Sequence, residues 1–249
     1  MNRFEHFFKA DSRRKYIILE SHERAIEYIG AHFMAAAQEA ISNRGKFFVA
    51  LSGGSTPKAI YSHLAKTYRQ SLDWTKVYCF FSDERAVSPH SIESNYHSAI
   101  TSGLSELPIP ENQIYRMKAE SNIGSNAREY EELIREMIPH FTFDLVMLGM
   151  GDDGHTASLF PHTEALKVTN RLVVQNHIPS KNCDRMTFTF PLINQARAIC
   201  FYVLGGSKKE MLKTVLTSNL KSLDFPSTCV GTEENPAIWI MDKAAAELI

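Results

Sequence analysis

Apolar residues along this chain fall into two patterns. The first recurs at helical spacing. From Ser21 to Asn43, residues Ile26, Ile29, Phe33, Ala37 and Ile41 share one helical face, and Gly45 follows as a stop. The second pattern is the short unbroken run. KFFVAL (46–51), VYCFF (77–81), FDLVML (143–148) and ICFYVL (199–204) show no polar alternation. Such runs suit parallel strands covered on both faces. RLVVQ (171–175), RMTFTF (185–190) and AIWIM (237–241) also read as strands. Between them the spacing predicts helices from Pro57 to about Tyr68, from about Tyr96 to Ser102, over Ala127–Ile138 and Ser207–Thr217, and over the last AAAELI. Pro57 suits a first helical position. The first twenty residues predict no element, and Arg13-Arg14-Lys15 reads as a solvated surface turn.

Strands alternating with helices predict an α/β fold, a mostly parallel sheet flanked by helices on both faces. No compositional break, repeat or low-complexity tract divides the chain, so residues 1–249 read as a single domain. Its length of 249 residues, 44% hydrophobic and 22% charged, is that of a globular protein able to bury a sizeable core.

Charge and cysteine content narrow the class. The net charge is −1 and no basic stripe occurs, which argues against a nucleic-acid partner. No apolar run approaches the roughly 20 residues of a membrane helix, so no membrane partner is expected. The N-terminal stretch carries acids and lacks an apolar core, unlike a signal peptide. Cys79, Cys183, Cys200 and Cys229 form no CxxC pair; a reducing cytoplasm is the expected location. Cys79 and Cys200 fall inside apolar runs and read as buried.

Chemistry concentrates in loops 52–57, 82–95, 149–161 and 205–208, each just after an apolar run. Open α/β sheets bind ligands there, beyond the carboxyl ends of their strands. Ser52-Gly53-Gly54-Ser55-Thr56-Pro57 offers glycines for close backbone approach, two hydroxyls, and a following helix N-terminus, which suits a phosphate. A plain capped turn is the bland reading. Arg85, after Ser82-Asp83-Glu84, is either a surface ion pair or a guanidinium facing the crevice. Asn95 reads as a helix cap. Gly205-Gly206-Ser207-Lys208 again combines glycines, a helix start and a cation, and reads equally as a capped helix with a solvated lysine.

The loop GMGDDGHTASLFP carries the strongest signal. Gly149, Gly151 and Gly154 formally satisfy the dinucleotide pattern. Pro161 would interrupt the required helix, Asp152 and Asp153 would repel a pyrophosphate, and RLVVQ does not end in the required acid. His155 is the economical general base, and Asp153 is placed to orient its ring. His155 and His162 lack a third ligand at a recognised spacing, so no metal is expected.

SGGSTP, SDER with a following SNY, GMGDDGHTASLFP, RMTFTFPLIN and GGSKKEML, in that order, closely resemble the 6-phosphogluconolactonases. WIMDKAAAEL resembles theirs too. The resemblance implies a glucosamine-6-phosphate isomerase-like, modified Rossmann fold. It implies hydrolysis of 6-phospho-D-glucono-1,5-lactone to 6-phospho-D-gluconate, the second step of the oxidative pentose phosphate pathway, with no cofactor. It puts the general base on His155 and its acidic neighbour on Asp153. It puts phosphate and sugar contacts on Gly53, Gly54, Ser55, Thr56, Arg85 and Lys208, and places Arg185 near the substrate. Asp152 takes no role. The related deaminases carry a GHIGFNEP-like stretch where this chain has GHTASLFP, and their glutamate is missing here. A glucosamine-6-phosphate deaminase/isomerase is one alternative; a non-catalytic sugar-phosphate-binding module is another.

Overall fold

In the computed structural model, residues 7–218 and 221–249 are described. In chain order the elements are β1 (Phe8–Lys9), β2 (Arg14–Leu19), α1 (His22–Arg44), β3 (Phe47–Leu51), α2 (Ser55–Tyr68), β4 (Val77–Phe81), β5 (Asp83–Arg85), α3 (Asn95–Thr101), α4 (Ile123–Met137), β6 (Leu145–Leu148), β7 (Val173–Ile178), β8 (Cys183–Phe188), α5 (Phe190–Asn194), β9 (Ile199–Val203), α6 (Lys209–Thr217) and β10 (Ala237–Asp242).

The main sheet has seven strands in the order β1-β2-β10-β9-β6-β3-β4. Every pair in it is parallel except β1 with β2. Strands β3, β6 and β9 are buried along their whole length, which is why their sequences never alternate. Helix α1 packs on β2, β3 and β10, α2 packs on α1 and β9, and α4 packs on β7 and β8. A smaller antiparallel sheet, β5-β8-β7, stands beside the main one.

The chain runs outward from β3 to β4, then returns to place β6 on the other side of β3. That reversal is a topological switch point, where such sheets open a crevice. The four loops singled out by sequence leave β3, β4, β6 and β9, which are consecutive neighbours in the sheet.

Helix α1 starts as its sequence predicts. Ser21 accepts the Arg24 N–H at 3.3 Å, and Gly45, at φ 78°, ends the helix by donating its N–H to the Ile41 carbonyl at 2.9 Å. Other boundaries moved. Helix α2 begins at Ser55, so Pro57 is its third residue. Helix α4 begins at Ile123, and β6 at Leu145. Strands β7 and β8 run over Val173–Ile178 and Cys183–Phe188, because tight pairing of the two sets their register. Helix α6 proper starts at Lys209, after a single tight turn over Gly206–Lys208. The final AAAELI forms turns rather than a helix; Asp242 accepts the N–H groups of Ala245 and Gly205 and so binds this segment to the β9 loop.

The basic cluster is the largest departure. Arg14 is not on a solvated turn but in β2, fully buried. Its guanidinium is paired with Asp11 at 2.6 Å and donates to the carbonyls of Val215 and Ser218 at the C-terminal end of α6. A cation there suits the C-terminal carbonyls and the negative end of the helix dipole. Cys79 and Cys200 are buried as expected; burial pushes both thiols up to about 12.

Candidate active site

The loops after β3, β4, β6 and β9, together with Arg185 of β8, enclose a cavity of about 290 Å³. Gly53, Gly54, Ser55, Thr56, Arg85, His155, Arg185 and Lys208 all line it. Asp153 stands behind His155 rather than on the wall.

The loop after β3 is fixed from below and from the side. The Tyr61 hydroxyl donates to the Ser52 carbonyl at 2.7 Å and accepts the Ser52 N–H at 3.2 Å. Asn95 presses on Gly53 so closely that a Cβ there would lie 1.9 Å from its Oδ1. Gly54, at φ 107°, is the N-cap of α2 and supplies no side-chain acceptor. The first N–H groups of α2 therefore stay available at the cavity wall beside the Ser55 and Thr56 hydroxyls.

The acids before Arg85 are not its ion-pair partners. Asp83 is buried; it accepts from the Ser158 hydroxyl at 2.6 Å and from the Asn95 amide at 3.0 Å. Glu84, also buried, accepts the N–H groups of Arg85, Asn95 and Tyr96 and the Ser94 hydroxyl. It is a second anchor for the start of α3, whose N-cap is Ser94 and not Asn95. Burial raises the Glu84 carboxyl, against the pull of these donors. Arg85 donates to the Glu93 carbonyl and otherwise faces the cavity. Arg185 lies directly across the β5–β8 ladder from Arg85. Like charges opposite one another cost stability. Asp83 offsets this only in part, at 3.9 Å from Arg185, and the Arg185 Nε is buried with no hydrogen-bond partner.

The His155 loop is a closed turn. The Gly154 N–H donates to the Gly151 carbonyl at 3.1 Å, and the Gly151 N–H to the His155 carbonyl at 2.9 Å. Asp153 Oδ1 meets His155 Nδ1 at 2.5 Å. With Nδ1 engaged as donor, Nε2 is the basic nitrogen. Burial would raise the Asp153 carboxyl, but the hydrogen bond and charge of His155 outweigh it and hold it at about 2. The His155 ring stacks on Phe160, centroids 3.8 Å apart and 19° from parallel. Arg185 stands over the same phenyl ring at 5.5 Å. Gly151 must lack a side chain, since a Cβ would fall 2.0 Å from His155 Nδ1. From a distant segment, Ser227 fixes the Gly154 carbonyl with its N–H at 2.9 Å and its hydroxyl at 2.7 Å. Sequence reasoning missed Phe160, Asn95, Tyr61, Ser158 and Ser227 as parts of the site. Phe160 and Ser158 carried a signal as members of the GHTASLFP stretch, and Asn95 as part of SNY; Tyr61 and Ser227 carried none.

Residues 20–239 match the family model described as glucosamine-6-phosphate isomerases/6-phosphogluconolactonase. The chain belongs to that family. A 6-phosphogluconolactonase of Chlamydia pneumoniae is 39% identical, over 94% of this chain and 90% of its own length. One from Haemophilus influenzae is 33% identical, over 94% and 99%. Among solved structures, a 6-phosphogluconolactonase from Thermotoga maritima superposes with a TM-score of 0.79 at 27% identity, over 92% of this chain and 99% of that one. A monomeric glucosamine-6-phosphate deaminase shares the fold, with a TM-score of 0.79 at 19% identity. The family's fold is therefore that of this chain: a mostly parallel sheet with flanking helices.

Proposed function

We infer that this chain is a 6-phosphogluconolactonase, hydrolysing 6-phospho-D-glucono-1,5-lactone to 6-phospho-D-gluconate, the second step of the oxidative pentose phosphate pathway. The observation that carries the reading is an imidazole tied by Nδ1 to a carboxylate, on the wall of a cavity that also holds a helix N-terminus, two arginines and a lysine. The relatives named above carry the same name over nearly the whole chain.

A lactone is an activated ester and needs no covalent nucleophile. His155 Nε2 takes a proton from water as the oxygen attacks C1. The carbonyl π pair moves onto oxygen, giving a tetrahedral oxyanion. Arg185, whose Nε lacks a partner, supplies a donor for that charge. Preorganised donors of this type are worth roughly 3–4 kcal/mol each. The C1–ring oxygen bond then breaks, and His155 returns the proton to the departing ring oxygen. Asp153 holds the imidazole in one tautomer and stabilises the imidazolium. The N–H groups at Gly54–Thr56, Arg85 and Lys208 bind the phosphate, remote from the reacting carbon. Four free thiols fit a reducing compartment, the cytoplasm.

The deaminase reading is weaker. Leu159-Phe160 occupy the stretch after the histidine, and Phe160 is committed to stacking on the imidazole. The deciding experiment generates the lactone in situ with glucose-6-phosphate dehydrogenase and reports product with 6-phosphogluconate dehydrogenase. The expected result is acceleration over spontaneous hydrolysis. A rate equal to the uncatalysed one, or ammonia released from glucosamine 6-phosphate, removes this assignment.

A further inference from the structure

The turn at Gly151–Gly154 presents two adjacent carboxylates, and they go different ways. Asp153 turns inward to His155. Asp152 reaches across to another loop and pairs with the Lys208 ammonium. Lys208 lines the cavity; Asp152 stands outside its wall, with a side chain 81% exposed against 27% for the lysine. Among the described residues the Asp152 carboxylate has no other hydrogen-bond partner.

We propose that Asp152 is a built-in competitor for Lys208, one that lowers the site's hold on phosphorylated ligands and favours product over substrate in leaving. This rests on the reading of the cavity as a phosphosugar lactonase site with Lys208 at the phosphate.

The physics is that of exchange. An exposed ion pair is weak, so Asp152 gives up Lys208 at little cost and swings into water. A phosphate group brings close to two negative charges and three acceptor oxygens, and displaces a single carboxylate. Asp152 still stands nearby, and its charge opposes the incoming dianion. Hydrolysis converts a neutral ester into a carboxylate, so the product carries one more negative charge than the substrate. Repulsion from Asp152 therefore weighs more on product than on substrate. The other carboxylate of the turn is tied to His155 Nδ1 and takes no part in the contest for Lys208.

The test uses wild type, Asp152→Asn, Asp152→Glu and Lys208→Ala, titrated calorimetrically with inorganic phosphate and with 6-phosphogluconate at low and high salt. Asp152→Asn is expected to bind both about two- to fivefold more tightly, the range of an exposed ion pair, with the larger gain for 6-phosphogluconate. The gain shrinks as salt screens the charges. Asp152→Glu keeps the charge and matches wild type. Lys208→Ala weakens binding of both ligands by about tenfold or more. If Lys208→Ala weakens binding but Asp152→Asn leaves it unchanged or weaker, the competition is disproved while the phosphate role of Lys208 stands. If Lys208→Ala binds phosphate as wild type does, the phosphate role fails and takes the competition with it. An Asp152→Glu variant that binds as tightly as Asp152→Asn also overturns the proposal.

Discussion

One oxygen of Asp153 serves His155 twice: Oδ1 meets the ring Nδ1 at 2.5 Å and accepts the residue's own backbone N–H at 3.1 Å. The carboxylate thus fixes both the ring and the peptide that carries it. Replacing His155 by Ala removes the proposed base and leaves this turn otherwise closed. The expected loss in kcat is about 100-fold or more, in a variant that still folds but gives up the stability the Asp153–His155 pairing contributes. Near-normal kcat in the folded variant would remove His155 from the mechanism.

Asp153 also sets a pH dependence. Its carboxyl is held at about 2, below the ordinary 3.8. A depressed carboxyl contributes stability that is present above the unfolded value and lost as pH falls through the folded one. Asp153→Asn should therefore be less stable than wild type at pH 5, and the gap should close between about pH 4 and pH 2. Urea unfolding at a series of pH values reads this directly; a gap that persists unchanged at pH 2 would contradict it.

Glycines within one loop make opposite demands. At Gly151 a methyl group collides with the His155 ring, whereas at Gly149 nothing lies within 4 Å of the same position. Gly151→Ala should cost at least about tenfold in kcat by displacing the base, since small misplacements of catalytic groups are expensive. Gly149→Ala should keep near-wild-type kcat. Steady-state kinetics on the pair decides.

Arg85→Ala should act mainly on KM. Its guanidinium faces the cavity and is held by one carbonyl of its own loop, that of Glu93. A contact remote from the reacting carbon contributes uniform binding, so KM is expected to rise about tenfold or more with a smaller change in kcat. An unchanged KM would take Arg85 out of the phosphate site.

Arg14→Ala should destabilise the fold without touching the site. It leaves the Asp11 carboxylate and the carbonyls of Val215 and Ser218 without their shared donor. Arg13 still pairs with Asp11, so the cost is that of the lost buried hydrogen bonds, about 1–3 kcal/mol. Denaturant melts should show it, with KM unchanged in the remaining folded enzyme.

What the sequence disclosed follows from what is local. Strands β3, β6 and β9 were legible because both faces are buried, which erases polar alternation. The lining residues were legible because the ligand crevice lies at strand ends, and those ends hold the unusual residues. Strand β2 was hidden because Arg14 looks solvated until α6 arrives from far along the chain to receive it. Strand β5 is three polar residues, Asp83–Arg85, and exists only through its pairing with β8. Asn95 looked like a cap, yet its side chain serves Asp83 and packs on Gly53, a contact no local pattern encodes. The same holds for Ser227, whose partner Gly154 is remote in sequence.

The neighbouring of β9, β6, β3 and β4 has a kinetic meaning. β3 and β6 lie side by side, yet the whole of α2, α3 and α4 is threaded between them in the chain. Pairings that distant close late, after helices have formed. The cavity is therefore among the last things to appear on refolding: helical signal should return before phosphate binding does, and the competence to hold a ligand marks the completed topology rather than the compact chain.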